Sequence, residues 1–167
     1  ILGEDHPNTL TTRNNLACAY ESAGHLTEAI TLYDQVLTDR IRILGEDHPN
    51  TLTTRNNLAY AYKSAGRLAD AITLYDQVLT DSIRILGNDH PHTLSSRNNL
   101  AYAYKSAGRI TEAIALYEQV LTARTRILGK DHPDTLATLN ALASAYKAAG
   151  FLQKATALLE GDTPTEG

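Results

Sequence analysis

Residues 43–84 read ILGEDHPNTLTTRNNLAYAYKSAGRLADAITLYDQVLTDSIR, and this stretch is the unit from which the whole chain is built. A histidine, a glycine and a tyrosine of the unit each recur at intervals of 42 positions. They are His6, His48, His90 and His132; Gly24, Gly66, Gly108 and Gly150; and Tyr20, Tyr62, Tyr104 and Tyr146. Self-similarity at such a period is typical of stacked-repeat proteins. We therefore expect one repeat array over residues 1–160, with repeats at 1–42, 43–84, 85–126 and 127–160, and a flexible polar tail at 161–167.

Each repeat predicts two helices, because it contains two apolar patterns of helical period separated by a glycine. In the first repeat the first helix ends near Ala23, and the second runs from about Leu26 to Leu44. The apolar face expected on the first helix consists of Leu10, Leu16, Ala17 and Tyr20. The connection between the two helices is only two or three residues long, so they should pack antiparallel. Such a pair is marginal alone, and we expect it to be stabilised by stacking on the next pair.

Charged side chains near the helices lead to two further expectations. Proline suits the first position of a helix, so each Asp-His-Pro sequence should begin one. The aspartate upstream of it is the expected cap, namely Asp5, Asp47, Asp89 and Asp131. On the first helices, an arginine should pair with an acid of the second helix. The arginines are Arg13, Arg55 and Arg97, and the expected acids are Asp34, Asp76 and Glu118.

Composition argues against several classes of function. A net charge of −4 and a pI near 5.8, without a basic stripe, argue against nucleic acid as a partner. Neither a membrane-spanning apolar run nor a signal segment is visible, so we predict no membrane association and a cytoplasmic location. The single cysteine, Cys18, cannot form an internal disulfide and is interpreted as a small filler in a reducing compartment. The opening Ile1-Leu2-Gly3 ends a helix in the later repeats, which leads us to expect a fragment of a longer array.

Catalytic and metal chemistry is not predicted. The repeated histidines are one repeat apart and cannot converge on one ion. The sequence shows neither a nucleophile–base pairing nor a glycine-rich phosphate loop beyond the repeat. We therefore predict a protein that is not an enzyme and has no metal or cofactor.

The repeat resembles a known family. Leu16, Ala17, Tyr20, Gly24, Ala29 and Tyr33 fall in the order and spacing of a tetratricopeptide repeat. The eight additional residues per repeat, with the motifs GxDHPxTL and NNLAxxY, resemble the longer repeats of the kinesin-light-chain type. The near-identity of the first three repeats is closer to bacterial arrays of this class. The resemblance implies an all-α fold, a right-handed α-solenoid of four helix–turn–helix repeats with eight helices.

The resemblance also implies a concave groove, lined by the first helices, that binds a protein or peptide. Carried over by motif, the groove positions are Thr11, Thr53, Asn14, Asn56, Asn98, Asn140, Tyr60, Tyr102, Lys63, Lys105 and Lys147. The asparagines have two interpretations: an amide column that holds a peptide main chain, or hydrogen bonding between repeats. The lysines either select an acidic peptide or form an ordinary solvated face. The carboxylate clamp of the family is not carried over, because its positions here are Asn and Tyr or Cys.

Three functions stay open from the sequence. The first is a non-catalytic scaffold that binds a protein or peptide through the groove. The second is a structural array in which copies stack end to end by a heterologous, non-closing contact. The third is a sensor arm of a larger signalling protein.

Overall fold

The protein is described by a computed structural model at Gly3 and over residues 6–161. Within those residues the backbone forms eight α-helices and no β-strand. They are α1 (Pro7–Ser22), α2 (Leu26–Leu44), α3 (Pro49–Ser64), α4 (Leu68–Leu86), α5 (Pro91–Ser106), α6 (Ile110–Leu128), α7 (Pro133–Ala148) and α8 (Leu152–Glu160). The predicted all-α fold with two helices per repeat is confirmed. The expected cap at Asp5 and the tail residues 162–167 lie outside the described part of the chain.

The helices are distributed over two compact units. The N-terminal unit, Ile1–Ile85, contains the first two repeats, and the C-terminal unit, Leu86–Gly167, contains the last two. A single array through residue 160 and its right-handed course stay predictions.

A histidine side chain caps the start of each first helix, in the role predicted for Asp47, Asp89 and Asp131. The Nδ1 atom of His48 accepts a hydrogen bond of 3.1 Å from the backbone N–H of Asn50, and the backbone at His48 is extended. The other first helices are capped in the same way by His6, His90 and His132. The aspartates have other partners: Asp47 pairs with Arg84, and Asp89 with Arg126. The prediction was wrong because the residue adjacent to the proline, and not the one before it, has its acceptor over the free N–H.

A glycine ends each first helix, as predicted. At Gly24 the backbone φ is 80°, in the left-handed region that favours glycine. The next N–H, of His25, donates to the Tyr20 carbonyl at 2.8 Å and satisfies one of the last free acceptors of α1. The chain then reverses directly into α2.

The core of the N-terminal unit lies between its two repeats. Ala17, Ala29 and Tyr33 of the first repeat pack with Leu58 and Ala61 of the second, and all five are buried. A core that needs α3 as well as α1 and α2 agrees with the expectation that a pair is stabilised by its neighbour. In the C-terminal unit, an equivalent core joins α5, α6 and α7.

The apolar face expected on α1 is only partly buried. Leu10 and Ala17 are fully buried, but Leu16 is 47% exposed and Tyr20 is 37% exposed. The equivalent of Leu16 in the second repeat, Leu58, is 2% exposed because it packs against the repeat before its own. The burial of this leucine therefore depends on a preceding repeat and not on the helix that carries it.

The arginines of the first helices pair differently from the prediction. Arg13 bonds to Gln35 at 3.3 Å and to Asp39 at 2.8 Å, and these two residues lie one turn apart on the face of α2 that meets α1. Asp34 is turned away from that face by one residue, or about 100°. Arg55 likewise pairs with Asp81, and Arg97 bonds to the side chain of Asn88. The predicted partners Asp34, Asp76 and Glu118 were therefore wrong.

A buried arginine, which the sequence analysis missed, connects successive repeats within each unit. Arg40 is 4% exposed, and its Nη1 donates to the carbonyl of Asn50, at 2.8 Å, and to the hydroxyl of Thr54, both in α3. Arg124 makes the equivalent contacts with α7. Burial lowers the pKa of both guanidinium groups. The signal was present, because Arg40 lies four residues after Val36 on the apolar stripe of α2, where an arginine must be buried and needs hydrogen-bond acceptors.

Candidate functional site

The predicted groove residues, together with the residues at equivalent positions of the other repeats, define two surfaces, one on the first helices of each unit. The α1/α3 face consists of Thr11, Asn14, Cys18 and Glu21 of α1 with Thr53, Asn56, Tyr60 and Lys63 of α3. The α5/α7 face consists of Ser95, Asn98, Tyr102 and Lys105 of α5 with Ala137, Asn140, Ser144 and Lys147 of α7.

The α1/α3 face presents an aromatic ring beside a charge. Tyr60 is 47% exposed, and the Lys63 Nζ lies 3.9 Å from the centre of its ring. At that distance the ammonium group is attracted to the ring face. The contact orients both side chains along the exposed surface of α3.

The negative charge of Glu21 and the positive charge of Lys63 attract each other on the α1/α3 face. Burial raises the pKa of Glu21, while a hydrogen bond from Tyr33 and the charge of Lys63 oppose that shift. Burial lowers the pKa of Lys63, and Glu21 opposes that shift in turn. The Tyr33 hydroxyl also lies 2.9 Å from the Cys18 Sγ, which gives the thiol a polar neighbour. With one carboxylate and one ammonium group, the α1/α3 face is close to neutral.

The polar side chains of α1 make their contacts within the protein. Asn14 is 7% exposed, and its Oδ1 accepts a hydrogen bond of 3.2 Å from the Thr54 hydroxyl. This contact favours the structural interpretation, hydrogen bonding between repeats, for Asn14. Thr11 and Thr53 are exposed, and their hydroxyls donate to carbonyls one turn earlier in their own helices.

The α5/α7 face is open and positively charged. Tyr102 is 48% exposed, and Asn140 and Lys147 are exposed as well. The Lys105 Nζ lies 2.6 Å from the Ser144 Oγ, so the lysine of α5 reaches across to α7. Lys147 follows Ser144 by three residues and shares its side of α7. None of the eight residues of this face is acidic, and the face therefore carries two uncompensated ammonium groups.

The asparagines do not form a uniform column. Asn14 is buried, Asn56 and Asn98 are half-buried, and Asn140 is exposed. Exposure thus increases along the chain from α1 to α7. Of these four asparagines, Asn140 is the one that is exposed to a ligand.

Neither a metal-binding cluster nor a membrane-spanning helix is present in the part of the chain that the structure describes. Residues 6–161 hold no group of three or more His, Cys, Asp or Glu side chains arranged to bind a metal ion. None of the helices α1 to α8 has the length and apolar character required to cross a bilayer.

The repeats and their faces define an all-α protein of paired antiparallel helices, with the polar residues of the first helices exposed as a surface. Comparisons with known proteins identify its family. Tetratricopeptide repeat models match residues 9–50, 57–126 and 95–160. No curated protein sequence matches the chain.

Solved structures agree with the family models. A variant from Podosopora anserina, described as a kinesin light chain with nearly identical TPR-like repeats, is 37% identical over 96% of this chain and 76% of its own, with a TM-score of 0.83. A second structure of those repeats gives the same identity and a TM-score of 0.81. BtubC (BKLC) from P. vanneervenii is 26% identical over 95% of this chain and 67% of its own, also with a TM-score of 0.81.

The chain belongs to the tetratricopeptide repeat family, in its kinesin-light-chain-like class. Repeats of this family bind protein partners and act as non-catalytic scaffolds.

Proposed function

We propose that this protein is a non-catalytic scaffold that binds an acidic, extended peptide through its first-helix faces, above all the α5/α7 face. The observation that carries the proposal is Tyr102, an aromatic side chain that is 48% exposed and lies one helical turn before Lys105 on α5. Tyrosine is enriched at protein interfaces because it combines a large apolar ring with a polar hydroxyl. An exposed tyrosine on a lysine-bearing face is therefore a suitable anchor for a peptide side chain.

Charge favours the α5/α7 face over the α1/α3 face. Lys105 and Lys147 have no acidic neighbour on their face, whereas Glu21 compensates Lys63 on the other. The hydrogen bond from Lys105 to Ser144 holds the ammonium group between α5 and α7, where a carboxylate of a peptide could replace the hydroxyl as acceptor. The exposed amide of Asn140 can donate to and accept from a peptide main chain.

The test begins with selection from a library of random linear peptides on the immobilised protein. Enriched peptides should be rich in Asp and Glu, and Lys105→Glu should weaken their binding by about tenfold, a loss of roughly 1.4 kcal/mol. Lys130→Glu is the matched control, because it makes the same change of charge at an exposed residue between α6 and α7. Tyr102→Ser should also weaken binding. Peptides without acidic enrichment, or equal losses for the two lysine variants, would contradict the proposal.

The compartment is the cytoplasm in this proposal. Cys18 is a free, half-buried thiol, and a free thiol is typical of a reducing environment. A scaffold of this kind would meet its peptide ligands there.

A second candidate function is end-to-end association of copies. Leu16 is 47% exposed, whereas the equivalent Leu58 is buried against the preceding repeat, so α1 presents a surface that a further repeat could cover. The partner surface would be α8, where Leu152 is 64% exposed and Leu159 is 46% exposed. α8 has only 9 residues against 19 in α2, which makes this the weaker candidate. Light scattering that rises with concentration, and falls for Leu16→Glu, supports association; a constant mass contradicts it.

A further inference from the structure

Two repeats contain the same small charge cluster, in which one carboxylate lies between two arginines. In the first repeat, Asp39 accepts from Arg13 at 2.8 Å and from Arg42 at 3.3 Å. In the second repeat, the equivalent Asp81 pairs with Arg55 at 2.9 Å and with Arg84 at 3.0 Å. The arginines come from the first helix and from the end of the second helix of the repeat. The carboxylate thus bridges two cations that would otherwise repel each other.

The third repeat keeps both arginines but lacks the carboxylate. The arginines are Arg97 and Arg126, and Ala123 occupies the position of Asp39 and Asp81. A second acid is lost as well, since Asn88 replaces Glu46, whose carboxylate lies 3.7 Å from Arg55 in the second repeat.

The remaining contacts leave both guanidinium groups with free capacity. Arg97 bonds to the neutral side chain of Asn88 at 3.0 Å, and over residues 6–161 no carboxylate lies within ion-pair distance of it. Arg126 pairs with one carboxylate, Asp89, at 2.8 Å. Its counterpart Arg84 binds two, Asp47 and Asp81. The arrangement of the second repeat therefore shows that Arg126 can accommodate a second carboxylate beside Asp89.

A pocket occupies the place of the missing group. In the second repeat, the pocket lined by Arg55 and Asp81 has a volume of about 450 Å³. In the third repeat, the pocket lined by Arg97, Arg126 and Ala123 has about 600 Å³. Glu118 and Asp89 also line the larger pocket. The Glu118 carboxylate accepts from the Tyr146 hydroxyl, and the Asp89 carboxylate pairs with Arg126 on one side of the pocket.

We infer that the pocket of the third repeat binds a carboxylate group between Arg97 and Arg126, in the position that the Asp81 side chain has in the second repeat. Planar guanidinium groups present paired N–H donors that match the two oxygens of a carboxylate, and such charge-assisted hydrogen bonds are among the strongest in proteins. The carboxylate belongs either to a free small anion or to an aspartate or glutamate side chain of a partner. Ala123 is on α6 and not on the α5/α7 face, so this site is separate from the one in the proposed function.

The test follows the arginine side-chain Nε–Hε signals of the whole protein by NMR. Sodium acetate is the probe for a free anion, and N-acetyl-aspartate N-methylamide is the probe for an acidic side chain. Sodium chloride and sodium sulfate at equal ionic strength are the controls. A saturable shift of the Arg97 and Arg126 signals with either carboxylate supports the inference, and the probe that binds more tightly identifies the source. No shift with either, or an equal shift with sulfate, overturns it.

Two equivalent positions, 123 and 81, allow the carboxylate to be added in one repeat and removed in the other. Ala123→Asp supplies the missing carboxylate within the chain, so the acetate response should be lost, whereas Ala123→Asn, of similar size and without charge, should retain it. Position 123 is half-buried at the pocket wall and accepts either side chain without disturbing the core. Asp81→Ala should create a new acetate response at Arg55 and Arg84. An acetate response that persists in Ala123→Asp overturns the inference.

Discussion

Replacing Leu58 by alanine tests whether the repeats are stabilised by their neighbours. Leu58 is 2% exposed and packs against Ala17, Ala29 and Tyr33 of the preceding repeat. Truncation of a buried leucine costs about 2–5 kcal/mol, because the transfer energy is lost and a cavity is left. Three of the four buried residues that form the core with Leu58 are alanines, which cannot extend to fill the space. We therefore expect a loss of about 3 kcal/mol in the free energy of unfolding.

The matched control is Leu16→Ala, which makes the same change in the same NNLA sequence of the first repeat. Leu16 is 47% exposed, so about half of its surface is already in water and the truncation leaves no closed cavity. Since full burial of a leucine contributes about 1.5–3 kcal/mol, truncation of this half-buried leucine should cost about 1 kcal/mol.

The assay is equilibrium unfolding in urea, followed by far-UV circular dichroism. Hydrogen exchange of the α1–α3 amides provides a measure of local stability, because repeat proteins need not unfold in one step. The expected difference between the two variants is about 2 kcal/mol. Equal losses would refute the reasoning, since the helix carrying each leucine would then matter and the neighbouring repeat would not.

Three other substitutions test single contacts. Arg40→Ala should cost about 2 kcal/mol in urea unfolding, because it removes charge-assisted hydrogen bonds to α3, including the one to Thr54; a loss below that of an ordinary surface substitution contradicts this. His48→Ala should cost about 1 kcal/mol through loss of the helix cap, and His48→Asn should restore the stability, since asparagine is a good cap. Equal melting temperatures for the alanine and asparagine variants would contradict the role of the cap. Burial and the charge of His90 lower the pKa of His92. At this residue the folded protein therefore binds fewer protons than the unfolded chain. The stability of the folded protein must then fall as the pH decreases below about 6.5, the pKa of an unperturbed histidine. His92→Asn, which introduces the residue of the first two repeats, should reduce this loss between pH 7 and the lower end of the titration; an unchanged pH profile contradicts the assignment.

The helices were predictable because strong local signals repeat. Proline begins each first helix, and a glycine with a positive φ ends it. α2 lies between two such glycines, Gly24 and Gly45, and its bounds, Leu26–Leu44, agree with the prediction. These signals act within a few residues and need no tertiary context. The fourth repeat follows the same rule, and α8 begins at Leu152, two residues after Gly150.

Side-chain partners were less predictable, because they depend on rotation and on neighbours. Asp39 and Asp34 are both acids of α2, and only the helical phase decides that Asp39 meets Arg13. Asp47 and His48 are adjacent polar residues with acceptors, and the extended backbone at His48 decides which of them caps α3. The exposure of Leu16 has no local signal at all, since its sequence neighbours are those of the buried Leu58.

The candidate site was partly predictable. The family pattern locates the polar positions of the first helices, and Tyr60, Tyr102, Lys147 and Asn140 are accessible there. It does not show that Asn14 bonds to Thr54 instead, because that contact depends on the packing of α1 against α3. The site between Arg97 and Arg126 was not predicted from the sequence. Its signal is the absence of an aspartate at Ala123, and that absence has a meaning only once the contacts of Asp39 and Asp81 are known.

The central claim is that the α5/α7 face binds an acidic peptide, and NMR mapping tests it most directly. A peptide selected on the protein is titrated into isotope-labelled protein, and the shift of every backbone amide is recorded. If the peptide binds this face, the largest shifts should lie at Asn98, Tyr102, Lys105 and Asn140. Shifts confined to α6 and α8, with these residues unaffected, would contradict it.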